Sequence, residues 1–417
     1  MRTDFRATLC VAVLVLGTSA CDAFDRLLSV ESPSRLSENN FLQPSNAALI
    51  SASAVADFEC ALGGYIVAAG LAAGELADGS QTAARWSYDR RDVDANQDLY
   101  SSGSCVGIGV YTPLNVARHT NDQAVRLLSE WTDAQVPNRQ LMIARNAAMA
   151  GYAILLLGES FCECVINVGP ALTQAAAFDS AEARFTVALA AAQAANNAAL
   201  INLAYAGRAR ARLNGGDGPG AAADAANVPQ SFVYNATADA NAAVRNNRIF
   251  AQNNQGRAVT IAPAYRGLQV QGAPDPRVAV SAGTPTLMPD QVNTFFVQAK
   301  YTSLTAPTPI ATGIEMALIR AEVAGPGTGV GILNTLRARP GVALPPLDAA
   351  EQANYSATLA SERSRELFLQ GTRWWDMNRL NLAQVPAAGT AYPKGSQYGN
   401  QRCWPLPNVE RLANPNF

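Results

Sequence analysis

The stretch Ser361-Glu362-Arg363-Ser364-Arg365-Glu366-Leu367-Phe368-Leu369-Gln370-Gly371-Thr372-Arg373-Trp374-Trp375-Asp376-Met377-Asn378-Arg379 decides how this chain is read. Taken as one helix, it places Glu362, Glu366, Leu369 and Arg373 in one column, with Leu367, Gly371, Trp374 and Trp375 on an adjacent face, because residues three and four apart share a face. Acidic side chains come first and basic ones last, which suits the helix dipole. A glycine inside a helix costs about 1 kcal/mol relative to alanine, so Gly371 predicts close packing by a neighbour. Two readings of the carboxylates compete. Glu362 and Glu366 are one turn apart and could form a glycosidase-like acid/base pair, which requires carboxyls about 5 to 9.5 Å apart. The interleaved arginines and the paired tryptophans favour a buried helix whose charges compensate one another. The expectation is a structural helix.

Outward from this stretch the chain reads as mainly α-helical. Glu315 to Glu322 and Gly331 to Arg339 form helices on its N-terminal side, the second ended by Pro340. Between about 229 and 312 proline, asparagine and glycine are frequent and helical periods vanish. That predicts a loop-rich region with short strands at most, such as Arg277 to Val280 and Asn293 to Ala299. A long irregular stretch in a helical chain is more often functional than decorative. From about 57 to 228 the chain is rich in Ala and Leu and helix patterns recur. Leu114, Ala117, Asn121, Ala124, Val125 and Leu128 share one stripe, which leaves His119 off it and on the surface. Arg139 to Leu157 forms a helix, and Asp179 with Glu182 has capping-box spacing for the start of another. Leu200 to Leu213, a Gly-rich turn and Ala221 to Asn227 make a helix pair. Its Gly207, Ala211, Ala222 and Ala226 have the small-residue spacing of a tetratricopeptide hairpin. An ordinary antiparallel pair would have nearly the same geometry.

The N-terminus reads as a targeting segment. Arg2 and Arg6 precede the apolar run Leu9 to Leu16, and Thr18-Ser19-Ala20 supplies small residues before Cys21, so residues 1–20 are expected to be a signal peptide. Cys21 after that run has the form of a lipidation site, although Thr18 stands where leucine is usual. Thr18-Ser19-Ala20 would also serve as an ordinary cleavage site that releases a soluble exported protein. After Cys21 no segment reads as a membrane span: Phe185 to Gly207 is interrupted by polar residues, and Asn146 to Gly158 has the length of a buried helix. Cys60, Cys105, Cys162, Cys164 and Cys403 allow one or two disulfides with a thiol left over, and their pairing stays open. A metal site at Cys162 and Cys164 lacks a second ligand pair.

Composition narrows function. The 417 residues carry 31 Lys+Arg and 33 Asp+Glu, a net charge of −2, so there is no basic excess for nucleic acid. His119 is the single histidine, and Lys300 and Lys394 are the only lysines, which removes most metal, phosphate-lysine and triad chemistry from consideration. No cofactor is expected. With 49% hydrophobic residues the chain can build a large core.

Glu362-Arg363-x-x-Glu366-Leu367-x-x-x-Gly371-x-Arg373-Trp374-Trp375-Asp376-x-x-Arg379 resembles the C-terminal signature of the SusD/RagB family of outer-membrane nutrient-binding lipoproteins. In the same order, Glu315-Met-Ala-Leu-Ile-Arg-Ala-Glu322 resembles the family's E-x-x-L-I-R-A-E helix. Leu333-Asn334-x-x-Arg337-x-Arg339 resembles its L-N-x-x-R-x-R segment. Trp404-Pro405-Leu406-Pro407-x-x-Glu410-x-x-x-Asn414-Pro415 resembles its closing segment. Gln370 departs from the usual glutamate before the glycine. The resemblance implies one SusD-like domain over 21–417: a tetratricopeptide-like helix-pair scaffold (about 57–228), a loop-rich ligand-binding region (about 229–312) and C-terminal helices (about 313–417). It also implies a non-catalytic lipoprotein, anchored at Cys21 in the outer membrane, that hands a glycan or peptide nutrient to a TonB-dependent SusC-like transporter.

Sugar binding calls for an aromatic ring to stack on C–H faces and polar groups to meet hydroxyls. The segment Asp78 to Asp89 offers Trp86 and Tyr88 beside Asp78 and Arg85, and family members place ligand contacts near it. Tyr234, Tyr265 and Tyr301 are further candidates in the loops. Two other classes are kept: a secreted hydrolase using Glu362 and Glu366, and a tetratricopeptide adaptor that binds protein.

Overall fold

The computed structural model describes residues 41–417. Cys21 and the leader lie outside them. The chain divides into Met1–Asn46 and Ala47–Phe417, and the larger unit carries the helices, the loop-rich segment and the C-terminal signature together.

The scaffold is built from α1 (Ala47–Ala72), then a short strand β1 (Leu76–Asp78) and the single turn α2 (Trp86–Arg90). It continues with α3 (Tyr111–Glu130), α4 (Arg139–Ser160), α5 (Gln174–Ala194), α6 (Ala198–Gly215) and α7 (Gly218–Ala225). From α3 onward each helix packs on the next, and α1 lies against α3 and α4. The α3 stripe is observed: Leu114, Ala117, Asn121, Ala124 and Leu128 are buried, while His119 is exposed. Buried Asn121 donates to the Ala54 carbonyl and accepts from Asn146, which in turn accepts from Ser51 at 2.6 Å. This polar thread ties α1, α3 and α4 in one register. Each of its bonds contributes about 1 kcal/mol net, and a broken one costs about 1–3 because the orphaned group has no water.

Small residues set the approach of α4, α5 and α6. A Cβ on Gly207 would stand 2.2 Å from the Phe185 ring, and one on Gly151 would stand 2.9 Å from it. Phe185 therefore fills a slot that two glycines open. Ala211 is buried as expected, but Ala222 is only half-buried and Ala226 is exposed, so the close approach is made by the first helix of that pair. Helix α5 begins at Gln174 with Thr173 as its cap, five residues before Asp179. The Asp179–Glu182 spacing lies inside the helix, where Glu182 pairs with Arg212 at 2.8 Å.

Two helices, Pro44–Ala72 and Arg139–Ser160, are long and apolar enough to cross a membrane, which corrects the expectation that no segment qualifies. In their most apolar windows 72% and 83% of the residues are buried within the protein, as for core helices. The helix is longer than the apolar run because its polar first turn continues the same winding.

The loop-rich segment forms antiparallel two-stranded pairs. β4 (Val233–Ala236) pairs with β10 (Thr308–Thr312), and β5 (Val259–Ile261) pairs with β1. β6 (Gln269–Val270) pairs with β7 (Ala273–Pro274) and β8 (Val280–Leu287) with β9 (Thr294–Gln298), while β2 (Glu163–Val165) and β3 (Ala171–Thr173) form a hairpin between α4 and α5 of the scaffold. The Asn293 to Ala299 strand is thus observed. Arg277 to Val280 is not: Pro276–Val278 is a turn of 3-10 helix whose start is fixed by the Asp275 side chain on Arg277 N, and the strand begins at Val280. The pairing of β5 with β1 ties the loops back to the end of α1.

At the C-terminus, α8 (Gly313–Ala338) is broken at Gly325 before Pro326, giving the two helices read from the sequence. The signature is not one helix. It divides into α9 (Tyr355–Glu366) and α10 (Arg373–Arg379), separated by a turn in which Leu369 (φ 54°) and Gly371 (φ 81°) are left-handed. Gly371 serves this turn, since a side chain is strained at that φ. A Cβ there would also stand 2.7 Å from Tyr65 of α1, so the expected close neighbour is real. Other parts of the chain bond the turn's backbone. Lys300 donates to the Phe368 carbonyl at 2.5 Å, Tyr301 to Leu369 at 3.0 Å and Tyr65 to Gly371 at 3.2 Å, while Leu369 N donates to Glu75 at 3.1 Å. Helical hydrogen bonds are exchanged for these tertiary ones, which periodicity cannot reveal.

Cys60 is bonded to Cys105 and Cys162 to Cys403, and Cys164 is buried and free. The Cys162 sulfur is thereby committed, and among the described residues no cluster of His, Cys, Asp and Glu could hold a metal ion.

Candidate functional site

The two carboxylates of the signature face arginines on all sides. Glu362 accepts from Arg277 Nη1 at 2.6 Å and Arg337 Nη2 at 2.8 Å; Glu366 accepts from Arg277 at 3.1 Å and from Arg339 at 2.5 Å. Burial by itself would raise the Glu362 carboxyl, but the hydrogen bonds and charges of Arg277 and Arg337 outweigh it and hold the group low. Arg277 also forks onto Asp275, and Arg363 onto Asp376. These ion pairs fix α9, α10 and the Pro276 turn. They leave neither glutamate as a free acid or base.

The segment Asp78 to Asp89 is positioned by β1. Its pairing with β5 directs Asp78 inward, where the side chain is fully buried. Asp78 Oδ1 accepts from Ser80 N at 2.8 Å and from Lys394 Nζ at 3.0 Å, and Oδ2 lies 3.4 Å from Arg85 Nε. Lys394 also reaches the Ser80 carbonyl at 3.0 Å and Asp290 at 3.3 Å, and sits 4.9 Å from the centre of the Trp86 ring. Trp86 donates from Nε1 to the Ser80 carbonyl at 3.1 Å and leans on Tyr392, 6.4 Å between ring centres. Arg85 extends to Gln252 at 2.9 Å. Behind them Asp89 accepts from Asp78 N and the Tyr392 hydroxyl; burial pushes its carboxyl up to about 7 against those bonds.

Asp78, Arg85 and Trp86 are therefore brought together, and Tyr88 is not. Tyr88 lies in the core, 5.0 Å from Trp404, with its hydroxyl 3.4 Å from the Ile108 carbonyl. The reason is geometric: two residues apart on a helical turn point in different directions. Trp86 and Arg85 are half-buried, and Gln81, Thr82, Ala83 and Ala84 beside them are exposed. What this face offers a ligand is an indole edge, a guanidinium and loop amides. Asp78 supports them and does not reach solvent. Lys394 and Asp290 were missed by sequence reasoning, although Lys394, one of two lysines in the chain, carried a signal. Of the loop aromatics, Tyr265 and Tyr301 are buried; Tyr234 lines a cavity of about 280 Å³ with Glu59, Arg145 and Arg245.

Residues 320–409 match the model of the SusD family. That segment carries the Glu362-to-Arg379 signature read from the sequence. The fold of solved SusD structures extends over nearly all of this chain. A SusD superfamily protein from Bacteroides thetaiotaomicron superposes with a TM-score of 0.68 at 13% identity, covering 90% of this chain and 98% of that one. A SusD-like carbohydrate binding protein from Bacteroides fragilis gives 0.65 at 15% identity, covering 89% and 98%. Surface glycan-binding protein A from Bacteroides uniformis gives 0.63 at 12% identity, covering 89% and 98%. No curated protein matches the chain. The helical scaffold is the architecture these structures share.

Proposed function

We propose that this chain is a member of the SusD family, a surface-exposed outer-membrane lipoprotein anchored through Cys21 that captures a glycan and delivers it to a TonB-dependent SusC-like transporter. It binds and does not catalyse. The observation that carries this reading is the family match at 320–409 joined to a fold shared with a solved carbohydrate-binding protein and a surface glycan-binding protein. The ligand face is the Trp86 edge with Arg85 and the exposed loop from Gln81 to Ala84, held in place by Asp78 and Lys394. An aromatic edge bordered by polar donors suits a sugar, whose ring presents C–H groups on its faces and hydroxyls at its rim.

The test is a glycan and peptide array on protein beginning at Asp22, repeated with Trp86→Ala. Binding to a defined glycan class that weakens about tenfold or more in the variant supports the reading. Binding of peptides with no glycan bound changes the substrate class. Release of shortened glycan products would favour the hydrolase class. A chain that binds neither library and co-purifies with no outer-membrane transporter would sink the proposal.

A further inference from the structure

A cavity of about 350 Å³ opens between the segment after β5 and helices α9 and α10. It shares no lining residue with the Trp86 cluster. Its size is at the lower end of small-molecule sites, which hold about 300–1,000 Å³. Alanines 264, 357 and 383 form an exposed rim, so nothing bulky covers the mouth. Met377, Leu382 and Val385 supply an apolar wall.

The polar groups are unlike those elsewhere in the signature. Arg363, Arg365 and Arg379 are each paired with a carboxylate. Arg373, which lines the cavity, forms no ion pair with any described residue. Its Nη1 lies 3.4 Å from the Ala360 carbonyl, the guanidinium also meets the Tyr265 hydroxyl, and its buried Nε has no partner. No aspartate or glutamate lines the space. Glu75, whose carboxyl feels the Arg373 charge, is pushed up to about 7 by burial and so compensates the guanidinium only partly. Three hydroxyls face the same cavity: Tyr265 and Ser364, 2.6 Å apart, and Ser361, which bonds to no described residue. A half-buried guanidinium met only by neutral groups favours an anion, and charge-assisted hydrogen bonds are roughly twice as strong as neutral ones.

We infer that this cavity binds a carboxylate-bearing sugar, a hexuronate free or at the end of an acidic glycan, with its carboxylate on Arg373 and its hydroxyls on Ser361, Ser364 and Tyr265. This goes beyond the transporter reading and stands whether or not the chain hands its ligand on. A neutral sugar would leave Arg373 unpaired, and a neutral apolar ligand would leave the hydroxyls unpaired as well.

The experiment is calorimetric titration of the mature chain with glucuronate and galacturonate, against glucose, galactose and the dipeptide Ala-Ala. The expected result is uronate binding at least about tenfold tighter than either neutral sugar, weakened about tenfold or more by Arg373→Gln. Ala357→Trp, on the exposed rim, tests the same cavity without touching a buried charge and is expected to block binding. No uronate binding, equal affinity for the neutral sugars, or binding of the dipeptide in place of the uronate overturns the inference. So does uronate binding that survives in both folded variants. Loss in Trp86→Ala with Arg373→Gln and Ala357→Trp unaffected would place the uronate at the Trp86 cluster and equally overturn the cavity assignment, while leaving the glycan-binding reading intact.

Discussion

The helices from Tyr111 to Ala225 and the signature from Tyr355 to Arg379 are held together by different physics. In the first region neighbours in sequence are neighbours in space, and the contacts are between apolar and small side chains, with Phe185 seated between Gly151 and Gly207. Its ion pairs join neighbouring helices, as where Arg208 and Arg212 converge on Asp224, and one of them, Arg210 with Glu159 at 2.6 Å, is buried. In the second region the helices are short, and buried arginines reach across long separations. Arg277 bonds Glu362 and Glu366 from 85 and 89 residues away. An Ala or Leu on a packed face can be exchanged for another apolar residue of similar size. A fork between a guanidinium and two carboxylates cannot be exchanged piecemeal. That difference accounts for the comparisons: the family is recognisable in sequence at 320–409, whereas the scaffold keeps its fold at 10–15% identity.

The largest expected effect breaks the ionic side of this comparison. Arg277→Ala removes the donor shared by Asp275, Glu362 and Glu366 and leaves buried carboxylates uncompensated, so it should destabilise by about 3–5 kcal/mol, read as a lower denaturation midpoint. A change below about 1 kcal/mol would show that the network is decorative. On the packing side, Gly207→Ala drives a methyl into the Phe185 ring and should cost about 1–3 kcal/mol. Phe185→Leu should recover part of that loss in the double variant; strict additivity would argue against the slot.

A smaller effect sharpens the contrast through pH. Burial raises Glu75 to about 7, so the folded state holds its proton more tightly than the unfolded chain, whose group titrates near 4.5. Its favourable contribution is complete below about 4.5 and is lost as pH rises through about 7. Glu75→Gln keeps an acceptor for Leu369 N without the titration. The variant should match wild type at pH 4.5 and be more stable by about 3 kcal/mol at pH 8, measured by urea unfolding at both values. A constant difference across that range would mean that Glu75 is not the titrating group.

The stripe on α3, the surface position of His119, the helix-rich segment to Ala225 and the two helices flanking Gly325 were all legible, because each depends on a local period or a local breaker. At the candidate site Asp78, Arg85 and Trp86 were legible as a cluster, since they are close in sequence around one turn. Tyr88 was misread for the same reason, because adjacency in sequence does not say which side of a turn faces the core. Lys394 and Asp290 reach Asp78 from distant segments, and only the folded chain brings them there.

The sequence by itself determined the helical class, the signature at 320–409 and the order of its parts, since these rest on motif spacing and apolar periodicity within short windows. Tertiary structure alone decided that the signature bends at Gly371, where Lys300, Tyr301, Tyr65 and Glu75 take over the backbone bonds that a continuous helix would have made. It also decided which cysteines pair, which tryptophan face stays open and that Arg373 of the signature has no carboxylate partner among the described residues. The physical reason is common to all of these. They depend on distances between groups far apart in the chain, and those distances exist only after the core has closed.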